Sequence, residues 1–68
     1  MNKAKEVAIS EKLNLSIEEA AVYSGIGQHK IRELMERLDC DFVLKVGSRK
    51  NLINRKKFES YLTARTEL

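Results

Sequence analysis

The sequence predicts an α+β fold: two helices around a tight turn, then a β-hairpin and a closing helix. Three observations lead there. A capping box and an amphipathic repeat start one helix at Ile17, and a second apolar repeat follows Gly27 almost at once. An aromatic and β-branched run from Phe42 to Val46 is followed by turn residues and a second apolar pair, Leu52-Ile53. Asn54 then precedes Phe58, Tyr61 and Leu62 at helical spacing. In that order the pieces make a small winged helix-turn-helix, with about three helices and a hairpin wing. At 68 residues there is room for one domain with a modest core.

Residues 2–13 mix charges with Ala4, Val7, Ala8, Ile9 and Leu13, a weak helical pattern without a strong cap, so fraying is expected over 1–12. Leu13-Asn14-Leu15 alternates locally and suits a short strand laid against the hairpin. In the capping box, Ser16 accepts from a free N–H one turn on and Glu19 reaches back to the Ser16 N–H, which predicts a helix over 17–24. Its face of Ile17, Ala20 and Ala21 permits close approach. Gly25 supplies the left-handed residue that commonly ends a helix, and Gly27 is a tolerated N-cap. Ile31, Leu34, Met35 and Leu38 recur at i, i+3, i+4 and i+7, predicting a second helix over 28–38. Its outward arc carries His29, Arg32, Glu33, Glu36 and Arg37, flanked by Gln28 and Lys30. In a helix-turn-helix this second helix enters the major groove.

A hairpin over 42–53 follows, turned at Gly47-Ser48, with Ser48, Arg49, Lys50 and Asn51 at its tip. The third helix is expected over 55–63, with 64–68 a loose end. The predicted core is Ile17, Ala20, Ala21, Ile26, Ile31, Leu34, Leu38, Val43, Ile53, Phe58 and Leu62.

Charge is unevenly placed. The net +3 comes from +6 over residues 43–58, against −1 in each of 1–24, 25–42 and 59–68. The basic block holds Lys45, Arg49, Lys50, Arg55, Lys56 and Lys57 with no acid, the footprint of a polyanion partner. A solvated basic face is the alternative. Arg55, Lys56 and Lys57 stand in the first turn of the third helix, where the macrodipole disfavours cations by about 0.3–1 kcal/mol each. A phosphate held there offsets that cost and meets free N–H groups.

Several classes drop out. The lone Cys40 forms no internal disulfide, provides no Cys-based zinc cage, and suits a reducing, cytoplasmic setting as a small packing residue. No apolar run reaches the roughly 20 residues of a membrane span, and residues 1–10 lack a signal-peptide core. One His, one Cys and no Gly-rich phosphate loop leave no catalytic residues, cofactor site or metal site at local spacing. Glu18 and Glu19 read as capping and dipole-complementing residues.

Leu15-Ser16-Ile17-Glu18-Glu19-Ala20-Ala21, Gly25-Ile26-Gly27, Ile31-Arg32-Glu33-Leu34, Lys45-Val46-Gly47-Ser48-Arg49 and Leu52-Ile53-Asn54-Arg55-Lys56-Lys57-Phe58-Glu59 together form a pattern. Over residues 13–62 the chain resembles the excisionases of conjugative transposons, within the MerR-like winged-helix DNA-binding domains. The resemblance implies a recognition helix in the major groove with Gln28, His29, Lys30 and Arg32 facing it and Arg37 on the backbone. It implies a wing of Ser48, Arg49 and Lys50 on the minor groove or backbone. It further implies a non-enzymatic protein that binds repeats in double-stranded DNA near the ends of an element, bends them, and helps a tyrosine recombinase (integrase) to excise. The expected form is a monomer in solution with several protomers on adjacent repeats. Two alternatives stay open: a small transcriptional regulator of a mobile element using the same surface, and a basic protein-interaction adaptor.

Overall fold

The α1 start is where the chain's local chemistry is most explicit in the computed structural model, which describes residues 7–68. Ser16 Oγ accepts from the Glu19 N–H at 3.1 Å and Glu19 Oε1 accepts from the Ser16 N–H at 3.0 Å, closing the predicted capping box ahead of α1 (Ile17–Ser24). Gly25, at φ +77°, ends the helix in the left-handed region, and its N–H bonds the Ala21 carbonyl. A side chain with a Cβ is strained at that φ, which accounts for glycine here. Only Gly25 to Gly27 separate α1 from α2 (Gln28–Met35).

Three antiparallel strands follow in the order β1-β3-β2. β1 (Asn14–Leu15) pairs with β3 (Lys50–Asn54), and β3 pairs with β2 (Val43–Val46) in the register Val43 with Ile53 through Val46 with Lys50. The short strand read from Leu13-Asn14-Leu15 is thus β1, and the wing is the β2–β3 hairpin, turned at Gly47 (φ +69°). Asn54 closes the sheet and opens α3 (Arg55–Thr63), its side chain accepting from the Lys57 N–H at 3.0 Å. Among the described residues this is a small α+β winged-helix architecture with three α-helices and one three-stranded sheet. None of its helices is long and apolar enough to cross a membrane.

The core is Leu15, Ala20, Ile31, Leu34, Phe42, Ile53, Phe58 and Tyr61. Phe42 is its centre, edge-on to Phe58 and to Tyr61 with both ring centroids 5.1 Å away. Of the predicted core, Ile17, Ala21, Ile26, Val43 and Leu62 pack half-buried around these residues. Cys40 does the same as a free thiol.

Leu38 corrects the sequence reading. It is fully exposed, and α2 stops at Met35 rather than residue 38. Past Met35 the Glu36 and Arg37 N–H groups bond the Glu33 and Leu34 carbonyls, a tightened last turn that rotates the following residues off the helical stripe. The chain turns there so that Phe42 can reach the core, and Leu38 faces solvent. Leu15, Phe42 and Tyr61 take core places outside the predicted list.

The helical pattern read over 2–13 lies outside the described residues as far as position 6. Beyond it the chain makes a single 3-10 turn at Ile9–Glu11, with Ile9 against the core. Arg55 holds this segment, donating from its backbone to the Leu13 carbonyl at 3.0 Å and from Nε to the Lys12 carbonyl at 2.7 Å. At the other end, Arg65 Nη1 donates to the Tyr61 carbonyl at 2.8 Å and Nη2 to Asp39 Oδ2 at 2.7 Å. Arg37 Nη2 reaches a main-chain oxygen of Leu68 at 2.9 Å.

Candidate nucleic-acid interface

α2 places Ile31 and Leu34 inward, so helical geometry turns His29, Arg32, Glu33 and Glu36 outward. The β2–β3 hairpin stands beside that face. Between them opens a cleft of about 440 Å³, to which α2 contributes Gln28 and Arg32 and the wing contributes Arg49, Lys50, Asn51 and Leu52. Its floor is the start of α1, at Ser16, Ile17 and Glu18. A second hollow of about 270 Å³ continues along α2, lined by Ile17, Arg32, Met35, Glu36 and Asn51. Ile17, Arg32 and Asn51 belong to both.

The predicted residues do not all come together. Gln28, Arg32, Arg49 and Lys50 share the cleft, while His29 is exposed on the outward arc and Ser48 on the wing turn. Lys30 lies two residues, about 160° around the helix, from Arg32 and pairs with Glu33 at 3.0 Å. That hydrogen bond and charge hold the Glu33 carboxyl below its ordinary range. The Arg37 guanidinium is engaged with Leu68.

The basic block is also divided. β3 separates Lys50 from Arg55 by five residues, about 16 Å of strand, so Arg49 and Lys50 sit at one end and Arg55, Lys56 and Lys57 at the other. Arg55 is half-buried, tied to the Lys12 carbonyl and lying 5.9 Å from the Tyr23 ring centre. Lys56 and Lys57 are exposed, and neither makes an ion pair among the described residues.

Asn51 and Glu18 of the cleft, and Glu36 of the hollow beyond it, were not among the predicted DNA contacts. Asn51, read at the wing tip, lies on β3 opposite Lys45. Glu18 enters because the α1 start forms the floor. Glu36 was legible, being one turn beyond Arg32 on the same arc.

This surface is open, polar and built from two elements, with cations and amide groups along both walls. Such a shape suits an extended polyanion better than an enclosed small molecule. Among the described residues no group of three or more His, Cys, Asp or Glu comes together to hold a metal ion.

The family model described as Excisionase from transposon Tn916 matches residues 1–67. Comparison with curated proteins and with solved structures finds no match. The chain belongs to this transposon excisionase family, a family of DNA-binding accessory proteins in recombination rather than catalytic enzymes.

Proposed function

We propose that the chain is a sequence-selective, DNA-bending excisionase that assists a tyrosine recombinase in excising a mobile element. The observation that carries this reading is the shared cleft: Gln28 and Arg32 of α2 open onto the same space as Arg49 and Lys50 of the wing. With α2 in the major groove, the wing beside it falls on the adjoining backbone or minor groove of the same duplex. Phosphate contacts then supply affinity, and a few α2 side chains together with DNA deformability supply selectivity. The element order supports the MerR-like assignment. Gln28, His29 and Arg32 are the base-facing set, Ser48, Arg49 and Lys50 the wing set, and Lys56 and Lys57 phosphate contacts at the α3 start. Lys30 and Arg37 lie at the margins of that surface and act on the backbone.

A protein of this kind works by changing DNA shape. Several protomers, monomeric in solution, occupy adjacent repeats and bend the duplex so that the integrase assembles an excising complex. Energy transfer between dyes on the two ends of a duplex spanning the element end tests this. Increasing protein is expected to bring the dyes together in steps as the repeats fill. A straight duplex at saturation would contradict bending and favour a transcriptional regulator using the same face.

A further inference from the structure

We infer that Glu36 is a specificity-determining residue, accepting a hydrogen bond from a base amino group in the major groove. This rests on the DNA-binding reading of the α2 face and goes beyond it by assigning the base class. Glu36 lies about 40° around α2 and about 6 Å along it from Arg32, and the two line the same hollow with Asn51. Its φ of −93° and ψ of −3° stay in the right-handed region, and the residue lines the hollow beside Arg32.

Nothing in folding selects a carboxylate at this position. Glu36 is the C-cap of α2, where the helix dipole disfavours negative charge. It makes no ion pair among the described residues, although Arg32 stands one turn before it and the neighbouring Glu33 is paired with Lys30. Phosphate attraction does not select it either, since a carboxylate about 7 Å from a phosphate lowers affinity about threefold even at the dielectric of water. A donor on a base edge reverses that sign. In the major groove the amino group that pairs with Glu is cytosine N4, whereas guanine and thymine present only acceptors and a methyl group in its place. Glu36 therefore favours a cytosine at one position of the site and penalises guanine and thymine there, with adenine intermediate because its N6 amino donates but stands beside the N7 acceptor. Arg32, beside it, pairs with guanine by the same rules.

Binding-site selection from a randomised duplex library, followed by competition anisotropy, tests this on the full chain, Glu36→Gln, Glu36→Ala and Glu67→Gln. Glu67→Gln makes the same charge change at an exposed residue that lines neither hollow and controls for general electrostatics. The wild type is expected to enrich a motif with one cytosine position at which replacing the base with guanine or thymine costs about fivefold or more. Both Glu36 variants lose that preference and keep the rest of the motif, while Glu67→Gln keeps every position. Glu36 variants that select the unaltered motif, or that loosen all positions together, would overturn the inference while leaving sequence-selective binding intact. A wild type that enriches no motif would overturn the sequence-selective reading itself, and the role of Glu36 with it.

Discussion

Asp39 shows how one exposed side chain can govern the path of the backbone. Its Oδ1 accepts from the Tyr61 hydroxyl at 3.0 Å and its Oδ2 from Arg65, whose guanidinium lies 3.5 Å from the Tyr61 ring centre. These bonds fix the turn after α2 against α3, and that turn sends Leu38 outward and Phe42 into the core. The Tyr61 hydroxyl first, and Arg65 after it, hold the Asp39 carboxyl below its ordinary range. A carboxylate whose pKa is lowered by folding stabilises the native state above its unfolded pKa, about 3.9, and ceases to do so as pH falls through the lower folded value. Asp39→Asn is therefore expected to melt below the wild type near neutral pH, with the gap narrowing as the solution is acidified below about pH 4. Thermal melts across that range check it, and a gap that is constant with pH would place the stabilisation elsewhere. The Leu38 misreading belongs to this scale. Spacing alone continues the α2 stripe to residue 38, because a long-range bond from Asp39 to Tyr61 has no local signature.

At the scale of elements, the parts legible in the sequence are those set by near neighbours. Ser16 with Glu19, Gly25 and Asn54 each act within three or four residues, and α1 accordingly begins and ends, and α3 begins, where these caps predict. The hairpin was equally plain from Gly47 and the flanking β-branched runs. The division of the basic block between the wing tip and the α3 start was legible too, and what could not be read is which of its side chains other parts of the chain engage. Arg55 is the sharpest case. It occupies the first turn of α3, as a phosphate contact does, yet its Nε donates to the Lys12 carbonyl and its guanidinium lies 5.9 Å from the Tyr23 ring centre, which fastens the N-terminal segment to the sheet. Arg55→Ala is expected to cost about 1–2 kcal/mol of stability and to leave the salt dependence of DNA binding unchanged. Lys56→Ala is expected to do the reverse, keeping stability within about 0.5 kcal/mol and flattening the plot of log K against log salt by about 1. Chemical denaturation and anisotropy titrations on the two variants separate these roles, and a flattened slope for Arg55→Ala with undiminished stability would contradict the assignment.

Over the whole molecule, the fold serves to bring α2 and the wing side by side. The capping box directs α1 across the sheet, the three-residue turn fixes α2 against it, and the β3 register sets which wing residues reach the cleft. The sequence carried the identities of Gln28, Arg32, Arg49 and Lys50, but their convergence depends on tertiary packing around Phe42, which patterning does not encode. We propose that this converged face holds duplex DNA through phosphate contacts. The most direct test is fluorescence anisotropy of binding at three or more salt concentrations, for the wild type and an Arg32, Arg49, Lys50 triple Ala variant shown to be folded. The wild type should lose affinity linearly in log K against log salt, with a slope near −0.9 for each phosphate neutralised, and the triple variant should be weaker and flatter by about 2 units, one each for Arg49 and Lys50. An unchanged slope and affinity in the folded triple variant would contradict the account and leave the basic surface a partner of something other than nucleic acid.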